Sequence, residues 1–80
     1  MKLRRNVSGE DLVKALRVLG NEISRQTGSH ICLTTGENGT HHITIPNHSP
    51  VRIGTFAAIL DDIAEHFKMS RQELLSKINL

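Results

Sequence analysis

The chain has 80 residues, of which 38% are hydrophobic and 22% charged, and this composition describes one small globular domain without room for a deep enclosed cofactor pocket. Its single cysteine, Cys32, excludes an intramolecular disulfide and a cysteine-rich zinc module. Ten Lys and Arg against eight Asp and Glu give a formal charge of +2, which excludes a strongly acidic or strongly basic protein.

The first residues are basic, and most of the positive charge lies in the first half of the chain. Met1–Arg5 resembles the start of a signal peptide, but no apolar stretch follows it, so we expect no export signal and a cytoplasmic location. No segment approaches the roughly 18 apolar residues of a membrane-spanning helix, so we expect no membrane contact. The excess of Lys and Arg before Gly36 permits a surface that faces phosphates.

A helix is predicted from about Gly9 to Leu19. Ser8 is a favourable N-cap, since its hydroxyl can accept a hydrogen bond from the backbone N–H near Asp11. Apolar residues then recur at helical spacing: Leu12, Leu16 and Leu19. Gly20 supplies the left-handed residue that commonly ends a helix.

Three short segments with alternating apolar residues follow: Glu22–Gln26, Ser29–Thr34 and His41–Ile45. The alternation predicts strands with one apolar and one polar face, and the glycine-containing connections predict antiparallel hairpins. The expected members of the polar face are Glu22, Ser24, Gln26, His30, Cys32, Thr34, His42 and Thr44. Functional groups are expected on this face because helices should cover the other one.

Pro46 is expected to end the third strand, and a second helix is predicted with Thr55 as its N-cap. Its apolar stripe consists of Phe56, Ile59, Leu60, Ile63 and Phe67. Ser70 and Glu73 form a predicted capping box that opens a short final helix.

The resulting order of elements is α-β-β-β-α with an extra terminal helix. We therefore predict an α+β fold in which a three-stranded antiparallel sheet carries two helices packed on one face, followed by a short C-terminal helix. One domain is expected to span residues 1–80.

His30 is the principal candidate for chemistry, because it begins the middle strand on the polar face. A neutral imidazole can take a proton from a ribose 2′-OH, and the imidazolium can then protonate a leaving oxygen, so one histidine can support RNA cleavage without a metal. Cationic groups would stabilise the charged phosphorane, and the candidates are Arg25, Lys2, Arg4 and Arg5. The alternative is that His30 is only a polar residue of the strand.

Other groupings of reactive side chains are weaker candidates. His41 and His42 are adjacent on a strand and point to opposite faces, so we predict no metal site there, and no cofactor is expected. Cys32 lies two residues from His30, about 6.6 Å along a strand, which is too far for direct activation of the thiol. The carboxylates of the second helix are expected to serve solubility.

Four motifs occur along the chain in this order: Ser8–Leu16, Arg25–His30, Pro46–His48 and Gly54–Leu60. Together they resemble the HicA-type toxins over about residues 7–75, in that family's order and spacing. The resemblance implies a fold similar to the double-stranded RNA-binding domain. It also implies that the chain is the toxin of a type II toxin-antitoxin system, a ribosome-independent mRNA interferase that inhibits translation.

The same resemblance assigns roles to individual residues and partners. The family's catalytic histidine lies in a glycine-serine-histidine motif, which falls on His30, with Ser29 beside it as a candidate RNA contact. His48 matches another family motif, and its loop position fits either a phosphate contact or loop anchoring. The implied partners are mRNA and a HicB-type antitoxin that covers the active face in an oligomeric complex.

Two other functions remain open from the residues alone: a non-catalytic RNA-binding module and a protein-binding subunit. The chain has no Trp or Tyr, and both of its Phe residues fall on the predicted buried stripe. Because base stacking on aromatic side chains is then unavailable, we expect a loose sequence preference for RNA.

Overall fold

The structure is a computed structural model that describes residues 3–80. It consists of an antiparallel sheet of three strands with helices packed on one face. The helices are α1 (Gly9–Leu16), α2 (Ile53–Phe67) and α3 (Arg71–Ile78), and the strands are β1 (Glu22–Gln26), β2 (His30–Thr35) and β3 (His41–Pro46). A 3₁₀ turn, Arg17–Leu19, continues α1. The predicted α+β class is confirmed. Within residues 3–80, no helix has the length and apolar character needed to cross a membrane.

The strands follow the order β1-β2-β3, so β2 lies in the centre of the sheet, and each pair of consecutive strands is connected by a hairpin. The β2–β3 ladder is regular from the pair of His30 with Pro46 to the pair of Thr35 with His41. The connection between these strands takes positive φ angles at Asn38 (57°) and Gly39 (93°). Asparagine and glycine tolerate this conformation best, which is why the predicted turn forms there.

The pairing of β1 with β2 contains a β-bulge. The partners run Ile23 with Leu33, Arg25 with Cys32 and Gln26 with Ile31. Directly opposite residues share a face, so the extra residue Ser24 reverses the alternation that follows it. Arg25 therefore lies on the polar face, and Gln26 lies on the face that the helices cover. The prediction that placed Gln26 on the polar face is wrong, because alternation alone assumes an unbroken register.

The core lies between the sheet and the helices. Its members include Ile31, Leu33, Ile43 and Ile45 from the sheet, Leu12, Val13 and Leu16 from α1, Phe56, Ile59, Leu60 and Ile63 from α2, and Leu74, Leu75 and Ile78 from α3. Burying each such side chain contributes about 1.5–3 kcal/mol. Phe67, the last residue of the predicted stripe of α2, is only half-buried. Ile23 shares the apolar face but remains 44% exposed, because β1 is an edge strand.

The predicted N-cap at Ser8 and the predicted capping box at Ser70 are both present, and Ser8 also forms a full capping box. At the start of α1, the Asp11 N–H donates to Ser8 Oγ (3.0 Å) and the Ser8 N–H donates to the Asp11 carboxylate (3.0 Å). Ser70 and Glu73 make the equivalent pair at the start of α3. These bonds satisfy N–H groups that have no partner within the helix, which fixes where each helix begins.

The start of α2 differs from the prediction. The helix begins at Ile53, with Arg52 as N-cap and no side-chain capping bond, so Thr55 lies inside the first turn. The preceding residue, Val51, is buried, and its N–H donates to the Val7 carbonyl (2.7 Å). This tertiary anchor fixes the chain just before α2, and the helix starts from it rather than from a capping hydroxyl.

Candidate functional site

The sheet face that the helices leave uncovered is polar, and we call it the open face. Its residues are Glu22, Ser24 and Arg25 from β1, His30, Cys32 and Thr34 from β2, and His42 and Thr44 from β3. All of them are exposed or half-buried. Because a three-stranded sheet places these side chains on one continuous surface, they are available together to an extended ligand.

The backbone around His30 is held on both sides. Within the β1–β2 turn, the His30 N–H donates to Thr27 Oγ1 (3.2 Å) and the Thr27 N–H donates to the His30 carbonyl (2.9 Å). From the end of β3, the Asn47 N–H donates to the Ser29 carbonyl (2.9 Å) and its side-chain amide donates to Gly28 (3.4 Å). The turn that carries His30 is therefore tied to the strand end beside it.

The His30 imidazole is exposed at the end of the open face, as predicted for its place in the strand. Ser29 Oγ lies 3.0 Å from its Nδ1, within hydrogen-bond distance. This contact occupies Nδ1 and leaves Nε2 to meet a ligand. An imidazole held in this way can accept and return a proton at a single atom.

Arg25 is brought into the neighbourhood of His30 by the bulge. It lies directly opposite Cys32, and His30 is two residues from Cys32 on the same face. Diagonal neighbours of this kind are about 7–8 Å apart in an antiparallel pair, which a long side chain can span. The open face thus places one cationic side chain within reach of the exposed imidazole.

His48 follows the end of β3, on the loop that leads to α2. Its backbone carbonyl accepts from the Gly9 N–H (2.9 Å), so the loop is anchored to the start of α1 through the main chain. The side chain is exposed and borders a shallow depression lined also by Pro46, Pro50 and Arg52. The anchoring is therefore made by the backbone of His48, and its imidazole faces outward.

Arg4 and Arg5, two of the basic residues near the N-terminus, form no hydrogen bond with His30. Arg4 and Arg5 are exposed, and no hydrogen bond or ion pair within residues 3–80 links them to the open face. Arg4 lies near enough to Asp11 to contribute to the lowered pKa of that carboxyl, which is caused first by hydrogen bonds from Ser8. Lys2, the third basic residue predicted to bind phosphate, lies outside the described residues.

A chain of hydrogen bonds crosses the open face away from His30. Thr34 Oγ1 lies 2.8 Å from His42 Nδ1 and 2.8 Å from Ser24 Oγ, and the Ser24 hydroxyl donates to the Cys32 carbonyl (3.3 Å). The polar alternation predicts these residues on one face but gives no sign of the bonds between them. The bonds depend on the register of three strands, which local sequence does not encode.

The remaining histidines pack at the far end of the sheet. His41 stacks on His66 with ring centroids 4.4 Å apart, and its Nε2 lies 3.3 Å from the Asp62 carboxylate. His66 Nε2 donates to the Glu37 carbonyl (2.9 Å), and the Asn38 amide donates to the His66 carbonyl (2.8 Å). These contacts connect the β2–β3 hairpin to α2. In the described part of the chain, no three His, Cys, Asp or Glu side chains form a cluster that could hold a metal ion.

Comparison with known proteins identifies the family. Residues 9–64 match the family model described as HicA toxin of bacterial toxin-antitoxin, which covers more than half of the chain and includes α1, the whole sheet and most of α2. Neither the curated proteins nor the solved structures give a match. The matched segment contains His30, Arg25 and His48, and the fold is the α+β arrangement predicted from the sequence. The chain therefore belongs to the HicA toxin family of toxin-antitoxin systems, whose toxins are paired with an antitoxin.

Proposed function

We propose that this toxin is an mRNA interferase, an RNA endonuclease that works without a metal ion and inhibits translation in the cytoplasm. The observation that carries the proposal is the exposed His30 imidazole, held on a fixed turn at the end of the open face with Nδ1 occupied by Ser29. The HicA family membership supports the same function.

The proposed reaction is attack of a ribose 2′-OH on its own neighbouring phosphate. His30 Nε2 takes the proton of the 2′-OH, the 2′-oxygen forms a bond to phosphorus, and the bond from phosphorus to the 5′-oxygen breaks. The imidazolium then returns its proton to that 5′-oxygen, which leaves a 2′,3′-cyclic phosphate on one product. Each proton transfer of this type contributes about 10²–10⁴ to the rate.

Negative charge grows on the phosphate oxygens as the pentacoordinate phosphorane forms. In this proposal the Arg25 guanidinium stabilises that charge, which is supported by its position as a diagonal neighbour of His30 on the open face. Ser29 acts on the ring through Nδ1 and is a positioning residue. His48, Arg4 and Arg5, with Lys2, remain candidate phosphate contacts for the parts of the RNA that lie beyond the cleaved bond.

A HicB-type antitoxin is the proposed protein partner, and covering the open face would block RNA from reaching His30. The polar side chains of this face suit a partner surface that forms hydrogen bonds. We propose that toxin and antitoxin form an oligomeric complex.

The test is cleavage of an mRNA transcript in excess chelator by the wild-type protein and by His30→Ala. We expect the variant to cleave about 10²–10⁴ times more slowly while RNA affinity, measured by gel shift, changes little. Lys77→Ala is a matched control, since Lys77 is an exposed residue of α3 and lies outside the open face.

Three results would overturn the proposal. Equal cleavage by both proteins would mean that His30 is not the catalytic group. Intact but shifted RNA with both proteins would indicate a non-catalytic RNA-binding module, and neither cleavage nor RNA binding would indicate a protein-binding subunit. Circular dichroism of His30→Ala shows whether the variant is folded, which distinguishes a loss of catalysis from a loss of structure.

A further inference from the structure

Three hydrogen bonds on the open face join the Cys32 carbonyl, Ser24, Thr34 and His42, and together they fix the direction of every proton in this chain. The Ser24 hydroxyl donates to the Cys32 carbonyl, which can only accept. With that proton used, Ser24 Oγ accepts from the Thr34 hydroxyl. The Thr34 hydroxyl has no second proton to give, so it accepts from His42 Nδ1. His42 is therefore held with its proton on Nδ1.

The consequence of this arrangement is a defined acceptor on the surface. A neutral imidazole with its proton on Nδ1 carries a lone pair on Nε2. His42 is exposed, and no protein hydrogen bond within residues 3–80 involves its Nε2. The hydroxyl groups of Ser24 on β1 and Thr34 on β2 thus orient the His42 ring on β3. The accepting atom of this ring, Nε2, faces outward on the same face as His30.

We propose that His42 is a second RNA-contacting residue, whose Nε2 accepts a hydrogen bond from a ribose 2′-OH of the bound strand. This inference rests on the proposed function, since it assigns the substrate a further contact on the same face. Because DNA lacks this hydroxyl, the contact would favour RNA over DNA.

The distance between the two histidines determines which nucleotide His42 meets. His42 lies opposite Thr34, and Thr34 is four residues beyond His30 on β2, which is about 13 Å along the strand. That separation prevents His42 from acting on the phosphate that His30 attacks. A strand stacked at roughly 3.4 Å per nucleotide covers it in about four nucleotides, and an extended strand covers it in fewer. His42 is thus a binding residue remote from the cleaved bond.

The first test reads the tautomer directly and does not depend on cleavage. Nitrogen NMR of the wild-type protein, at a pH where His42 is neutral, should show its proton on Nδ1. In Thr34→Val, which keeps the shape of the side chain but removes the acceptor, the signal should shift toward the Nε2–H form. A wild-type protein with the proton on Nε2, or a tautomer unchanged by Thr34→Val, would overturn the assignment.

The second test measures RNA-over-DNA preference on the His30→Ala protein, in which cleavage is expected to be slow. Binding of an RNA octanucleotide is compared with binding of the all-deoxy strand of the same sequence, with and without a second substitution at His42. We expect His42→Ala to reduce the preference for the RNA by about 2- to 10-fold, the effect of one neutral hydrogen bond. Thr40→Ala, an exposed loop residue outside the open face, should leave it unchanged.

The third test separates His42 from the chemistry. With a cleavable octanucleotide, His42→Ala should raise KM by about 2- to 10-fold and leave kcat nearly unchanged, whereas a dinucleotide too short to reach His42 should be cleaved equally by both proteins. An equal effect on both substrates would contradict a remote contact.

If the wild-type protein cleaves no RNA, the proposed endonuclease activity fails, while the tautomer and the RNA-over-DNA preference still decide the role of His42.

Discussion

Gly9, the first residue of α1, lies directly against the end of β3. It is buried, and a Cβ atom placed on it would overlap the Pro46 carbonyl oxygen and approach Asn47 Cα at 3.2 Å. Both obstacles belong to the backbone, which cannot move aside as a flexible side chain would. The missing side chain lets the helix start, the strand end and the His48 carbonyl meet, and this contact supports the turn that carries His30.

Substitution at Gly9 should therefore be costly. We expect Gly9→Ala to lower the free energy of unfolding by about 1–3 kcal/mol, the usual cost of forcing extra atoms into a packed site. Gly54→Ala is the matched comparison, because Gly54 lies in α2 and a Cβ there meets open space. That variant should gain about 0.4–1 kcal/mol, since alanine loses less chain entropy on folding. Urea denaturation of both proteins measures the two effects, and a Gly9→Ala protein as stable as wild type would contradict the packing described.

At the scale of elements, α3 is attached to α2 by an ion pair as well as by apolar contacts. The Arg71 guanidinium donates two hydrogen bonds to the Asp61 carboxylate, at 2.8 and 2.7 Å. These bonds lower the pKa of Asp61 and raise that of Arg71. Both side chains are accessible to solvent, so water and salt weaken the pair, and its effect is expected at the junction of the two helices rather than across the whole fold.

The lowered pKa of Asp61 gives this pair a defined pH dependence. Because the pKa of Asp61 is lower in the folded protein than in the unfolded chain, its carboxylate stabilises the fold at pH values above the unfolded pKa of about 3.9. This contribution is lost as the pH falls through the lower pKa of the folded protein. The raised pKa of Arg71 has no effect in this acid range, because the guanidinium stays protonated in both states. We expect Asp61→Asn to be less stable than wild type at pH 7, with the difference closing as the pH falls below about 4.

Urea midpoints measured between pH 7 and pH 2 test this expectation. Glu65→Gln is the control, because no side-chain hydrogen bond or ion pair within residues 3–80 involves the exposed Glu65 carboxylate. The prediction is wrong if the difference between Asp61→Asn and wild type stays constant over the whole range. Asp11, whose pKa is lowered mainly by the Ser8 backbone N–H, should produce a similar loss of stability in acid at the start of α1.

The elements show which features a sequence can predict and which depend on distant partners. The caps at Ser8 and Ser70 are local motifs that span four residues, so they are visible in the sequence and present in the structure. The bulge at Ser24 is a property of two strands together, and alternation within β1 predicts the wrong face for Gln26. The start of α2 is likewise set by the contact of Val51 with Val7.

The candidate site was predictable to the same extent. The place of His30 on the polar face follows from its position in an alternating strand. The hydrogen-bonded chain from Ser24 to His42 was not predictable, because it requires the pairing of all three strands. Thr35 shows the same limit: it is 1% exposed, and its hydroxyl donates to the Leu19 carbonyl (2.8 Å), although the sequence favours a turn there.

At the scale of the whole molecule, one core supplies the stability. A domain of this length typically has a free energy of unfolding of about 4–12 kcal/mol. We expect Phe56→Ala, which truncates one of the largest fully buried side chains, to cost about 3–5 kcal/mol and to leave a marginally folded protein. Val18→Ala should change stability by no more than about 0.5 kcal/mol, because Val18 is 62% exposed.

Thermal and urea denaturation of the two variants measure this difference. A loss below about 1.5 kcal/mol for Phe56→Ala would mean that the helices do not depend on a shared core. Because the same core holds the sheet that carries His30, we also expect Phe56→Ala to lose function through unfolding rather than through the site.

The bulge in β1 has a consequence for the behaviour of the protein in concentrated solution. A flat strand at the border of a sheet offers unpaired backbone groups on which strands of other chains can assemble into aggregates. β1 lies at the border of the sheet, and all five of its residues are exposed. The bulge twists it, and its charged neighbours Glu22 and Arg25 discourage stacking of like chains. At the opposite border, Pro46 ends β3 with a residue that has no N–H to donate. The extra residue that turns Arg25 toward the open face therefore also protects this edge against aggregation.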